Sequence, residues 1–236
     1  MKFEAVLFDC DGVLVDSEPI TNGVLCQMLN EAGWALTPAQ CMEWFIGKTV
    51  RSEAERIEAH TGQPLTDAWM AAFYARRNAR LAAELQAIDG AVEAVRTVHE
   101  RLQGRIACAS GADRFKVEMQ LAQVGLAPYF AGRIFSGHEM PATKPAPDVY
   151  LAAAAALGVA PARCLVVEDT VTGVAAGVAA GATVVGYSPS PVGHGSPEAL
   201  RAAGAVRVIA DMGELPALLD EGALRGLAQT RHTGTV

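Results

Sequence analysis

The chain has 236 residues, 51% hydrophobic and 19% charged, a balance that supports a packed core and excludes a disordered chain. Its formal charge of −7 gives no general attraction to polyanions, so neither nucleic acid nor an anionic membrane is an expected partner, although a small anionic ligand is compatible with a local basic site. No apolar run reaches the roughly 18 residues of a membrane span, and Met1-Lys2-Phe3-Glu4 does not resemble a signal peptide.

The five cysteines, Cys10, Cys26, Cys41, Cys108 and Cys164, are odd in number and show no C-x-x-C spacing. They are expected to be buried free thiols in a reducing cytoplasm rather than disulfides or zinc ligands. The first element is Ala5-Val6-Leu7-Phe8, an apolar run of the kind that fills a strand buried on both faces. It ends in Asp9-Cys10-Asp11-Gly12. Carboxylates at the end of an apolar strand are costly unless something is bound there. The carboxyl ends of strands in open α/β sheets are where ligands bind. The pattern predicts a hard cation, magnesium, beside a carboxylate able to attack an electrophile. Cys10, pointing to the other side of the extended chain, is expected to pack.

From Glu18 to Leu85 the periodicity becomes helical. A helix is expected around Ile20–Leu29 with Gly33 as its stop. Thr37-Pro38-Ala39-Gln40 should cap a second, and further helices should cover Ser52 to His60 and Asp67 to Leu85. Trp44 and Phe45 are expected in the core of this module, and Arg76 and Arg77 in solvent. After Gly90 helices alternate with short apolar runs. Strands are predicted at 105–109, 133–136, 164–167 and 183–187, with an edge strand at 206–210. Helices are predicted at 91–102, from Asp113 to about Val124, at 148–157, up to Ala180, from Ser196 or Pro197, and at 215–224, ahead of a fraying tail from Thr230 to Val236. Alternating strands and helices indicate a parallel sheet covered on both faces. The fold class is therefore α/β, a Rossmann-like doubly wound core of residues 1–16 and 87–236, with a small α-helical cap inserted at 17–86.

Polar groups follow the predicted strands at Asp9/Asp11, Ser110/Gly111 and Glu168/Asp169, and Lys144 lies in a loop after another. Because parallel strands all point one way, these groups can converge on one edge. Together they offer a nucleophile, backbone and hydroxyl donors, a cation and metal-binding acids, the parts of a phosphoryl-transfer site.

With these motifs the chain resembles the haloacid dehalogenase superfamily, in its phosphatase and β-phosphoglucomutase-like branch. D-x-D-G-x-x-x-D-[ST] corresponds to Asp9–Ser17, the serine-ended strand to Ser110 with Gly111, K-P-x-P to Lys144, and the last motif to Val166–Gly181 through Glu168, Asp169, Thr170 and Gly173. The resemblance implies that Asp9 forms an aspartyl phosphate and that Asp11 protonates the leaving oxygen and later activates water. It also implies that Mg²⁺ sits on Asp9, the Asp11 carbonyl and Asp169 with Glu168 at hand, and that Ser110, Gly111 and Lys144 bind the phosphoryl oxygens. The haloacid dehalogenases themselves lack the second aspartate, which is present here as Asp11. The β-phosphoglucomutases carry a histidine early in the cap where this chain has Thr21. Gly47-Lys48-Thr49-Val50-Arg51 resembles the family's substrate-specificity loop, so Lys48 and Arg51 are candidates to face the leaving group. A looser resemblance to bacterial 6-phosphogluconate phosphatases points to a sugar phosphate or sugar-acid phosphate. The expected protein is a cytoplasmic monomer or small homo-oligomer acting on a small phosphorylated metabolite. The alternatives are a phosphosugar mutase and a non-catalytic binding module.

Overall fold

The computed structural model describes residues 3–45, 48–189 and 195–220. Its strands are β1 (Ala5–Phe8), β2 (Ile106–Ser110), β3 (Ile134–Ser136), β4 (Cys164–Glu168), β5 (Thr183–Tyr187) and β6 (Arg207–Ile209). They form one parallel sheet in the order β3-β2-β1-β4-β5-β6. The chain fills one half of the sheet outward from β1, then returns to β4 and fills the other. That reversal creates a crevice at the carboxyl ends of β1 and β4. All of β1 is buried. Val6 and Phe8 enter one apolar cluster, and Ala5 and Leu7 the other, as the two-residue alternation of a strand requires.

The first cluster is covered by α5 (Ala91–Arg101), α6 (Arg114–Gln123) and a 3-10 segment, Met212–Leu219. The second is covered by α7 (Asp148–Ala156), α8 (Val171–Ala179) and α9 (Pro197–Ala202). The expected alternation is thus present. The helix expected over 215–224 is instead the 3-10 segment, with Pro216, which has no N–H to donate, inside it. The remainder of that helix and the tail lie outside the described residues.

Between β1 and α5 come α1 (Glu18–Glu31), α2 (Pro38–Phe45), α3 (Ala54–Thr61) and α4 (Asp67–Glu84). They enclose an apolar cluster of their own. Trp34 lies edge-on to Trp44 and Phe45 and stacks on His60 at 4.0 Å. The start of α2 is a reciprocal cap: Gln40 N donates to Thr37 Oγ1 at 3.2 Å, and Thr37 N to Gln40 Oε1 at 2.9 Å. The helix expected from Ser52 begins as α3 at Ala54, after a 3-10 turn over Arg51–Glu53. Ser52 there donates through its hydroxyl to Thr49 O and through its N–H to Thr49 Oγ1, local bonds that compete with an α-helical start.

The helical stretch leaves and rejoins the sheet at one place. Val15 bridges Ala87, Asp16 N donates to Gln86 O at 3.0 Å, and Ile88 N to Leu14 O at 3.0 Å. Two adjacent crossings let the intervening helices sit over the strand ends without interrupting the sheet. Under β1, Phe8 meets Phe130 edge-on with ring centroids 5.9 Å apart, and both are fully buried. Phe130→Ala should lower the unfolding free energy by about 3–5 kcal/mol, read as a lower urea midpoint at unchanged slope.

Candidate active site

Asp9 continues the line of β1, its N–H donating to Val167 O at 3.0 Å. Gly12 then turns the chain with φ +77°, and a Cβ there would stand 2.1 Å from Asp169 Oδ2. Only glycine meets both conditions, so Asp169 on the end of β4 lies directly against the β1 turn. From the loop before α7, Lys144 reaches between the strands. Its Nζ lies 2.6 Å from Asp9 Oδ1 and 2.6 Å from Glu168 Oε1, with only 9% of the side chain exposed. The ammonium also stands 4.8 Å from the centre of the Tyr150 ring.

Glu168 is fully buried and held through both oxygens. Oε1 accepts from Lys144 and from Tyr150 Oη at 2.6 Å, and Oε2 from Thr170 Oγ1 and the N–H groups of Asp169 and Thr170. A Cβ on Gly173 would fall 1.8 Å from Glu168 Oε1. The glycine in the first turn of α8 is what allows that helix to start against the carboxylate.

Asp9, Glu168 and Asp169 each offer an oxygen within 4.8 Å of the others. Burial pushes the Asp9 carboxyl up to about 7 despite Lys144, with Glu168 and Asp11 adding to the rise. Asp169 is raised well above the usual carboxylate range, by burial first and then by Glu168 and Asp9. Crowded acids of this kind take up either protons or a cation. Asp169 Oδ1 is buried with no hydrogen-bond partner, as a ligand oxygen awaiting a metal would be. The residues therefore fit a hard divalent cation. Because both Glu168 oxygens already serve protein donors, the freer oxygens belong to Asp9 and Asp169.

Asp11, two residues beyond Asp9, has a different environment. Its Oδ1 accepts from Ser17 Oγ, from Gln120 Nε2 at 2.8 Å and from Lys116 Nζ at 2.8 Å, and its Oδ2 from the same ammonium at 2.9 Å. Burial pushes this carboxyl up, but Lys116 and the hydrogen bonds outweigh it and set it at about 2.

Ser110, at the end of β2, is buried and its hydroxyl accepts from Ala112 N at 3.1 Å. Gly111 lines a cavity of about 500 Å³ that extends from Asp11 and Lys116 up to α1, α2 and α4. Lys48 and Arg51 also line it, but both are paired with acids: Lys48 with Glu53 at 3.4 Å, and Arg51 with Asp67 at 2.7 Å. Gly47 lies outside the described residues. Arg76 is half exposed and pairs with Glu31. Arg77 departs from the expectation of a solvated side chain. It is buried, lines the cavity, bonds Asn78 Oδ1 at 2.9 Å and faces Asp113 at 3.5 Å. The mixed charge of α4 hid which arginine turns inward.

Lys116, Gln120 and Tyr150 were missed by the sequence reading. A signal existed for the first. A lysine in the opening turn of a helix opposes the helix dipole, so its place there needs a reason elsewhere in the fold. Gln120 lies one turn on, on the same face. Tyr150, a lone aromatic in an alanine-rich helix, gave no chemical signal.

A family profile described as haloacid dehalogenase-like hydrolase matches residues 3–181. The chain is 30% identical over 197 residues to 6-phosphogluconate phosphatase of Escherichia coli (strain K12), covering 83% of this chain and 86% of that one. Among solved structures, a conserved haloacid dehalogenase-like protein from Agrobacterium tumefaciens (strain C58) is 36% identical with a TM-score of 0.79, covering 92% of this chain and 97% of that one. A family hydrolase from Deinococcus radiodurans R1, with bound phosphate and sodium, is 35% identical with a TM-score of 0.76, covering 94% and 97%.

Tyr150→Phe removes one donor from the buried Glu168 carboxylate and should destabilise the fold by about 1–3 kcal/mol, measured by urea unfolding.

Proposed function

The chain belongs to the haloacid dehalogenase-like hydrolases and is a phosphatase of that family, and on this premise we propose that it hydrolyses a small phosphate monoester with Mg²⁺ through an aspartyl phosphate on Asp9. The observation that carries the reading is the Lys144 ammonium 2.6 Å from Asp9 Oδ1 beside an acidic cluster that fits a hard cation. Lys144 would offset the charge of Asp9, and a cation held by Asp9 and Asp169 would add charge neutralisation there.

In the first half-reaction an Asp9 oxygen forms a bond to phosphorus as the ester P–O bond breaks, and Asp11 gives its proton to the leaving oxygen. In the second, water gives a proton to Asp11 and its oxygen bonds to phosphorus. The P–O bond to Asp9 then breaks, releasing phosphate and leaving Asp9 as a carboxylate and Asp11 protonated, as both began. Ser110, the Gly111 backbone and Lys144 are assigned to the phosphoryl oxygens. The carboxylates of Asp9 and Asp169 and the backbone carbonyl of Asp11 are assigned to the cation, with Glu168 chiefly holding Lys144. Bound there, Mg²⁺ supplies charge neutralisation for the transferring group.

The helices between residues 17 and 86 are assigned as a cap on a core of residues 1–16 and 87–236. The cavity under them, lined by both basic (Lys48, Arg51, Arg77, Lys116) and acidic (Asp11, Glu18, Asp113) side chains, suits a polar metabolite. The identity to 6-phosphogluconate phosphatase supports a sugar phosphate or sugar-acid phosphate. The phosphate in the Deinococcus relative supports a phosphoryl site in this fold.

Phosphate release should be assayed on 6-phosphogluconate, hexose and pentose phosphates and β-glucose 1-phosphate, with Mg²⁺ and with chelator. Metal-dependent release is expected, and Asp9→Asn should abolish it in a folded protein. Conversion of β-glucose 1-phosphate to glucose 6-phosphate without release would replace the phosphatase by a mutase. Without substrate, Mg²⁺ at a hundred times its dissociation constant should stabilise the wild type by about 2.7 kcal/mol. Asp169→Asn should lose most of that gain in a thermal melt.

A further inference from the structure

The contacts around Asp11 form a device of their own. Lys116 and Gln120 sit on one face of α6, one turn apart, and both reach the same carboxylate. Ser17, from the start of the helical stretch, reaches it from the other side. Gln120 is fully buried, and its amide oxygen lies 3.7 Å from Cys10 Sγ, so its amide is fixed at both ends. Lys116 is 7% exposed, and its backbone N–H is held by the Asp113 cap at 2.9 Å. The ammonium engages both Asp11 oxygens, a two-point contact that sets the plane of the carboxylate as well as its place. No other acid lies within ion-pair distance of Lys116 among the described residues.

We infer that Lys116 and Gln120 are positioning residues for Asp11. They fix the direction along which its proton passes to the leaving oxygen and along which it takes the proton from water. The inference rests on the phosphatase reading and extends it to two residues that do not form the bond to phosphorus. Donors from Ser17, Lys116 and Gln120 surround the Asp11 carboxylate. Lys116 acts only through Asp11. A competing role for Lys116, direct contact with the substrate, is open to it because it also lines the cavity.

Steady-state kinetics on the preferred sugar phosphate, at saturating Mg²⁺, separate the two roles. Lys116→Met should lower kcat by about tenfold or more while KM stays within about twofold. Gln120→Leu should act in the same direction, less strongly. The pre-steady-state burst of p-nitrophenol from p-nitrophenyl phosphate needs no proton on its leaving group, so it should stay within about threefold of wild type in both variants. Lys116→Arg, which keeps the charge, should recover part of the loss. A raised KM with unchanged kcat would make Lys116 a substrate ligand and overturn the inference. A burst slowed as much as turnover would make both residues structural, and unchanged kcat in both variants would leave them no role. If Lys116→Met does not fold, Gln120→Leu and Lys116→Arg carry the same comparison. Absence of turnover by the wild type on every ester would refute the phosphatase reading itself, before any variant is compared.

Discussion

The arrangement depends on how one buried ammonium is shared. Lys144 touches Asp9 and Glu168 at once, in a place where each charge has little water to solvate it. Carboxylates at the ends of two adjacent parallel strands would repel if left alone, and the sheet brings them together by its register, with Phe8 level with Val167. The ammonium is held well above the usual lysine range against the opposing pull of burial, by Asp9 and then by Glu168. Glu168 is itself fixed by Tyr150 and by the first turn of α8. The same charge cannot also balance Asp169, whose orphaned oxygen and raised carboxyl leave one anionic position for a cation to fill. An acidic cluster with one shared ammonium beside it is suited to a hard cation.

Position in the fold follows from topology. The order β3-β2-β1-β4-β5-β6 puts β1 beside both β2 and β4, so the residues after these three strands face one crevice. The bridge between Val15 and Ala87 brings the two ends of the α1–α4 stretch together, and those helices enclose an aromatic-rich cluster of their own. Arg77 from α4 and Asp113 at the head of α6 meet across the gap, joining the helical unit to the helix that carries Lys116.

Much of this was legible from the sequence because it is local. The strand over 183–187 was expected with its observed ends, and the alternation of strands and helices was enough for a parallel sheet. The acids and Ser110/Gly111 stood out because each follows a short apolar run, and Lys144 because it lies in the loop after another strand. Arg77 was not, since inward and outward arginines on a mixed helix differ only in tertiary contacts. Lys116 was missed for a related reason. Its partner lies 105 residues earlier in the chain, and only the dipole of α6 marks it as misplaced. The 3-10 turn at Arg51–Glu53 depends on side-chain bonds of Thr49 and Ser52 that no apolar periodicity records.

The two aspartates of the first turn show most plainly how one short sequence yields two chemistries. Asp9 and Asp11 share a chain segment and a crevice, yet one carboxyl is pushed up to about 7 and the other down to about 2. Asp9 follows Leu7 in the alternation of β1, whose Leu7 face is covered by α7 and α8, and its neighbours are acids and one shared lysine. Asp11 lies past the bend, against α6, where its neighbours are all donors. On the proposed function, a pair of acids separated in this way would divide the labour of a two-step transfer, one for phosphorus and the other for the proton. The separation is made by Gly12. Its left-handed backbone turns Asp11 out of the strand line and leaves room for Asp169 beside the turn, so a residue without a side chain sets the two carboxyls in their different surroundings.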